Sequence, residues 1–194
     1  DFFYTELTTG LRRGEVCGLM WQDFDEKTGT LKILRSVNIP KAGELEIGET
    51  KTSQGRRTIR LPPSTVQRLR ERKKHAVSQW IFPEPLAPEK PVRPSAAYYW
   101  MKRILREAGL PEIRFHDLRH TFATHALISG VDAKTLSGIL GHTKASFTVD
   151  TYTHTTTDMH RKAAEIVGGF LTDYLGEEMA PWQSAETAAT AAST

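Results

Sequence analysis

Cysteine is almost absent from this 194-residue chain: Cys17 is the only one. A single thiol excludes an intramolecular disulfide and a cysteine-rich zinc site, and it fits a reducing, intracellular setting. Long apolar runs are missing as well. No stretch approaches the ~20 residues that a membrane helix requires, and the opening DFFYTELTTG has neither the basic flank nor the cleavage site of a signal peptide. A soluble, cytoplasmic protein without a membrane partner is therefore expected. Strong charge of one sign is lacking too. A formal charge of +3 and a sequence pI of about 9.0 admit an anionic partner but fall far short of a nucleosome-like excess. No internal repeat is present, which sets a solenoid aside.

What is present, 39% hydrophobic and 25% charged residues, suits one globular domain with a tail. The chain starts at Asp1, and FFYTEL reads as the middle of an apolar helix, so the domain is expected to be N-terminally truncated. It is expected to span residues 1–178, with SAETAATAAST inside a disordered tail at 179–194. After the opening helix, TGLRRGEVCGLMW predicts a second one that starts at Thr9 or Gly10. On its wheel Arg12 falls near the centre of the arc formed by Leu11, Val16, Leu19 and Met20, with Glu15 beside it. An inward arginine is costly unless it is paired or used.

From GTLKILRSVNI to GRRTIRLPP, β-branched alternation and glycines predict a small antiparallel sheet of about three strands, with ETKTSQGRRTIRL as its exposed hairpin. PPSTVQRLRERKKHAVSQW predicts a helix capped by Ser64, with Val66, Leu69, Ala76 and Trp80 inward and the basic run outward. IFPEPLAPEKPVRPS, with five prolines, predicts a loop. Helices resume at SAAYYWMKRILREAGL and RFHDLRHTFATH. In GVDAKTLSGILGH, Asp132 predicts an N-cap and Gly141 a C-cap, so that His142 emerges just past a helix end. A further amphipathic segment runs from about Thr157 to Leu175.

Three histidines and two arginines crowd RFHDLRHTFATH. His116 and His120 stand four apart, as two zinc ligands on a helix would. Against zinc, Asp117 stands where the metalloprotease motif uses a longer Glu, and Arg119 would place a full positive charge beside a dication. His116 and Arg119 stand three apart and project about 60° from each other. They sit at a helix start, where free N–H groups and the dipole favour an anion. Structural capping and pairing is the third reading of the same residues.

Five motifs in order narrow the choice: TGLRRGE, TKT in a hairpin, HDLRHTFAT, LGH and DTYTH. Over roughly residues 2 to 170 the chain resembles the catalytic domain of the tyrosine recombinases, the phage-integrase family. More narrowly, it is similar to integrases of temperate phages and conjugative transposons. The resemblance implies an α+β fold, mainly α-helical with a small antiparallel three-stranded sheet. It implies a bacterial or phage-encoded enzyme that cleaves and rejoins DNA strands through a 3′-phosphotyrosine, without metal, ATP or other cofactor, to integrate or excise a mobile element. By position it implies Arg12 and the His116/Arg119 pair as catalytic, with His142 on the phosphate and Tyr152 as nucleophile. Lys51 matches the hairpin lysine that acts as acid, with Lys41 or Arg56 as alternatives, and Glu15 supports Arg12.

The partner so implied is double-stranded DNA at attachment sites. Assembly into a tetramer is implied by exchange of the C-terminal helix, for which Gly168 and Gly169 would form a hinge. The cations at 68, 70, 72, 73 and 74 are a possible phosphate-contacting face, although such runs are usually just solvated. Two other functions stay open. DAKTLSGILGH could be the second helix of a helix-turn-helix in a non-catalytic DNA-binding remnant, and HDLRH could serve a zinc hydrolase.

Overall fold

The computed structural model describes residues 1–39, 43–49 and 55–142. All belong to the first of the two units into which the chain divides, Asp1–Thr153. The helix expected from about Thr157 and the tail at 179–194 lie outside the described residues.

Helix α1 (Phe2–Thr9) ends where Gly10 turns left-handed at φ 64° and its N–H returns to the Glu6 carbonyl at 2.8 Å. A side chain is excluded there twice over. A Cβ on Gly10 would stand 2.3 Å from the ring of Phe122, so the helix that carries Phe122 packs directly on this turn. The expected single helix through TGLRRGEVCGLMW is therefore broken. Helix α2 is only Arg13–Cys17, and Arg12 is its extended N-cap at φ −69°, ψ 148°. The apolar arc misled because Leu11 is buried from the turn and not from a helix face.

Strand β1 (Phe24–Asp25) follows a 3-10 turn at Trp21–Asp23, and β2 (Thr30–Ile33) pairs with it antiparallel. The other neighbour of β2 is β5 (Arg57–Arg60), in the register Leu31 opposite Ile59. This gives a three-stranded antiparallel sheet of order β1-β2-β5, as the family resemblance implied. Between β2 and β5, the strands β3 (Arg35–Asn38) and β4 (Glu46–Glu49) form a separate two-stranded ribbon. The ribbon is seated on α2: a Cβ on Gly14 would meet the Val37 carbonyl at 2.6 Å, so this position has no room for a side chain.

Helix α3 (Pro63–Lys73) starts on Pro62 and Pro63, where missing N–H groups cost nothing, and Ser64 is not its cap. It stops before Ala76, which is exposed. Trp80 is buried instead by a bridge to Met20 and an indole N–H bond to the Glu89 carbonyl at 3.1 Å. The proline-rich segment is not all loop. It carries the hairpin β6 (Pro83–Glu84) and β7 (Ala87–Pro91), a two-stranded ribbon whose open edges tolerate residues without an N–H. Three helices follow: α4 (Pro94–Glu107), α5 (Phe115–Ile128) and α6 (Ala133–Leu140). Asp132 caps α6 by accepting from Thr135 N–H at 2.9 Å, and Gly141 ends it at φ 67°, both as the sequence predicts. One core joins these layers, with Leu11, Val16, Leu31, Ile33, Leu69 and Ile81 fully buried within it.

Candidate active site

Helix α5 begins with Arg114 as N-cap, and its main-chain N–H is taken by the Asp117 carboxylate at 2.8 Å. The same carboxylate accepts from the Arg114 guanidinium at 2.8 Å. Asp117, the residue a zinc hydrolase would need as its base, is thus spent on capping. Among the described residues, no group of three or more His, Cys, Asp or Glu is placed to hold a metal ion. His116 and His120 meet edge to face instead, with ring centroids 4.6 Å apart.

One turn further, Arg119 is 1% exposed and is the largest fully buried side chain among the described residues. Its Nη1 donates to the Gly10 carbonyl at 2.7 Å and its Nη2 to the Leu140 carbonyl at 2.9 Å. These oxygens orient the guanidinium without cancelling its charge. Nη2 also lies 2.8 Å from Nε2 of His142. A guanidinium can only donate, so Nε2 accepts and the imidazole carries its proton on Nδ1. Partial burial, then the charges of Arg119, Arg12 and Arg57, push the His142 pKa down to about 4. His142 is therefore neutral at physiological pH.

Arg12 reaches the same place from the start of α2. The Glu15 carboxylate accepts from its main-chain N–H at 2.8 Å and from its Nη1 at 2.9 Å, while its Nη2 donates to the Gly141 carbonyl at 3.2 Å. With 44% of its side chain exposed, Arg12 keeps an open side. Arg57 on β5 completes the group. Its Nη1 and Nη2 fork onto Glu15 at 3.0 and 2.9 Å, and its Nε donates to the Ile139 carbonyl at 2.6 Å. Burial pushes the Glu15 pKa up, but hydrogen bonds and charge from Arg57 and then Arg12 outweigh it and hold the carboxyl below its ordinary range.

The last carbonyls of an α-helix have no partner within it, and they form the negative end of its dipole. At the end of α6, three consecutive carbonyls, those of Ile139, Leu140 and Gly141, accept from three different arginines: Arg57, Arg119 and Arg12 in that order. This row of oxygens gathers cations that the sequence keeps far apart.

Two clefts of about 400 and about 660 Å³ open beside the cluster, and Arg12, Arg13, Tyr98 and His116 line both. His116 is exposed at the start of α5. Loss of part of its hydration, then His120 and Arg119, lower its pKa, so the imidazole is neutral and free to take a proton. Glu6 lines the smaller cleft, 1% exposed, with its Oε2 lacking a hydrogen-bond partner among the described residues. Burial raises its pKa to about 9 despite the opposing charges of Arg13 and Arg119.

The structure thus brings Arg12, His116, Arg119 and His142 to one place. Lys51, its alternative Lys41, and Tyr152 lie outside the described residues, and Arg56 is exposed at the start of the strand region. Sequence reasoning missed Arg57. The signal was available: in RTIRL, Thr58 and Arg60 are outward, so Arg57 shares the inward face with Ile59.

The phage integrase family model matches residues 2–159. The chain is 30% identical to a tyrosine recombinase XerC-like protein of Caldanaerobacter subterraneus, over 84% of this chain and 47% of that protein. It is also 30% identical to tyrosine recombinase XerA of Pyrococcus furiosus, over 81% of this chain and 50% of that protein. The chain therefore spans about half the length of the curated relatives it matches. Its fold resembles that of the Tn1549 transposon integrase, solved in complex with circular intermediate DNA, with a TM-score of 0.73 at 24% identity over 85% of this chain and 58% of that one. With the family model matched over most of its length, the chain belongs to the phage integrase family, the tyrosine recombinases.

Proposed function

We propose that this chain is the catalytic portion of a site-specific DNA recombinase that breaks and rejoins strands through a 3′-phosphotyrosine, integrating or excising a mobile element without metal or ATP. The observation that carries the reading is the convergence of Arg12, Arg119, His142 and His116 beside two open clefts. A phosphodiester presented there meets fixed positive charge and a neutral base.

In this mechanism the Oη of Tyr152, ten residues after His142 in the chain, attacks phosphorus and its proton passes to neutral His116. Charge building on the non-bridging oxygens is met by the open side of Arg12 and by the buried charge of Arg119. In the fold, Nη2 of Arg119 is engaged by Leu140 and His142, which fixes the guanidinium and its charge, and Arg12 keeps an exposed side from which to donate. With Nε2 accepting from Arg119, the donor of the His142 ring is its Nδ1–H. The P–O5′ bond breaks as Lys51 protonates the leaving oxygen. Rejoining runs the same steps backwards with a different 5′-hydroxyl, so the phosphotyrosine conserves the bond energy. A tetramer on paired DNA sites, exchanging C-terminal helices, is the assembly this chemistry would use, and a monomer on such sites would overturn it.

The test is a nicked suicide duplex carrying the attachment site, incubated with the protein in excess chelator. A covalent protein–DNA adduct is expected, and it should vanish in Tyr152→Phe. No adduct on a correct site would return the chain to non-catalytic DNA binding, and cleavage only with added zinc would point to a hydrolase.

A further inference from the structure

Arg57 is not part of the set that touches the phosphate in the mechanism above, yet its largely buried guanidinium is held by fixed partners beside the site. It joins three elements at once. From β5 it forks onto Glu15 of α2 through two hydrogen bonds, 3.0 and 2.9 Å, and its Nε holds the Ile139 carbonyl of α6 at 2.6 Å. Each partner leads to the phosphate-facing cations. The same Glu15 carboxylate fixes Arg12 through its main-chain N–H and its Nη1. The carbonyls next to Ile139 fix Arg119 and Arg12, and His142 follows directly after them.

We infer that Arg57 is a positioning residue for strand cleavage: it locks Glu15 to the end of α6 so that Arg12, Arg119 and His142 are assembled before DNA arrives. The inference rests on the proposed recombinase reading and deepens it. Its physical basis is geometric. Only a planar guanidinium offers two parallel N–H bonds to a carboxylate and a third N–H, at Nε, to a carbonyl. A lysine would keep the charge near Glu15 but could not span both partners. Without the lock, Arg12 and the α6 end are each held by fewer bonds, and small misplacements of groups that meet a transition state are expensive.

The experiment compares wild type, Arg57→Lys and Arg57→Met on the suicide duplex under single-turnover conditions. Noncovalent affinity for the same DNA is measured alongside in a Tyr152→Phe background. Arg57→Met is expected to lose cleavage rate by about 10- to 100-fold with DNA affinity within a few-fold, and Arg57→Lys should fall between. In the same variants the His142 imidazole, followed by NMR, should titrate at higher pH than in wild type for Met and less so for Lys, because Arg57 is one of the charges that lower it. That titration checks that the charge beside His142 has gone; what separates positioning from a general loss of fold is a rate that falls in the order wild type, Lys, Met while DNA affinity holds. Glu15→Gln should be as slow as Arg57→Met, and the double variant no slower than either. Equal rates in wild type and both Arg57 variants, losses of affinity and rate in proportion, or additive effects of Glu15 and Arg57 would each overturn the inference. Should Arg57→Met fail to fold, a wild-type rate in folded Arg57→Lys overturns it equally. Absence of an adduct in wild type is a different result and counts against the recombinase reading itself.

Discussion

Helix α3 and its C-cap carry Arg68, Arg70, Arg72, Lys73 and Lys74 within seven residues, whereas Arg12, Arg57 and Arg119 are spread over more than a hundred. In the sequence the first group looks like the place where an anion binds. In the fold four of its five charges are answered locally, while Arg70 donates to the Glu26 main-chain carbonyl. Arg68 lies over the ring of Tyr4 at 4.3 Å and 3.5 Å from Asp1, Arg72 lies over Phe82 at 5.0 Å, and Lys73 and Lys74 reach Glu26 and Glu71 at 3.2 and 2.8 Å. The second group shares one carboxylate, Glu15, between two of its members, and it also donates to carbonyls and an imidazole. Carbonyls orient a guanidinium but leave its charge in place. On the proposed reading, density of charge in sequence is a poor guide to an anion site, and excess charge held in fixed geometry is a better one.

The largest effect that could break this contrast is at Arg119. Replacing it with Lys keeps a positive charge but gives up the fork that spans Gly10, Leu140 and His142. If oriented charge is what the site supplies, Arg119→Lys slows adduct formation on the suicide duplex by about 10²- to 10³-fold, or roughly 3–4 kcal/mol of barrier. A rate within a few-fold of wild type would mean that charge alone suffices, and the two arginine groups would then differ only in location.

How much of this was legible in the sequence follows the same line. Arg12, His116, Arg119 and His142 were readable because each sits in a short motif whose spacing survives as letters. The cap at Asp132 and the stop at Gly141 were readable because local chemistry sets them. What assembles the site was not. The row of carbonyls at Ile139, Leu140 and Gly141 belongs to the backbone and has no letter of its own. Arg57 finds Glu15 only because β5, α2 and α6 meet in space, although its inward register could have raised the question. The start of α2 was misread because an apolar arc records burial, and a turn can bury Leu11 as well as a helix can. The hairpin within the prolines was misread because proline penalises central strands and not the open edges of a ribbon.

Glu6 bears on how large the charge excess at the site is. If it is protonated in the fold, Glu15 has no second carboxylate beside it to share the neighbouring arginines. With a folded pKa of about 9 against an ordinary 4.5, folded Glu6 keeps a proton that the unfolded chain has already lost. The stability this contributes is complete below the ordinary pKa and falls as pH rises toward the folded one. Glu6→Gln keeps the shape without the titration, so the variant should gain on wild type by up to about 1.4 kcal/mol per pH unit across that window. Urea melts of both proteins at about pH 5, 7 and 9 read this directly. Parallel stability profiles would mean that Glu6 is ionised beside Arg13 and Arg119. The site would then resemble α3, with its cations answered by carboxylates, and the contrast would weaken.

The smallest expected effect lies on α3 itself, and it tests the contrast from the other side. Lys73→Gln with Lys74→Gln removes two cations whose exposed pairs with Glu26 and Glu71 stabilise the fold by at most about 1 kcal/mol together. Adduct yield should not change. The sharper measurement is the salt dependence of DNA affinity, since each phosphate contact contributes about 0.9 to the slope of log Kd against log salt. With both lysines held by neighbouring carboxylates, the double variant and wild type should share one slope. A slope lower by nearly two would show that DNA displaces Glu26 and Glu71 to recruit both lysines. The ion pairs on α3 would then be a resting arrangement that opens on binding, and the line between answered and unanswered charge would have to be drawn with DNA present.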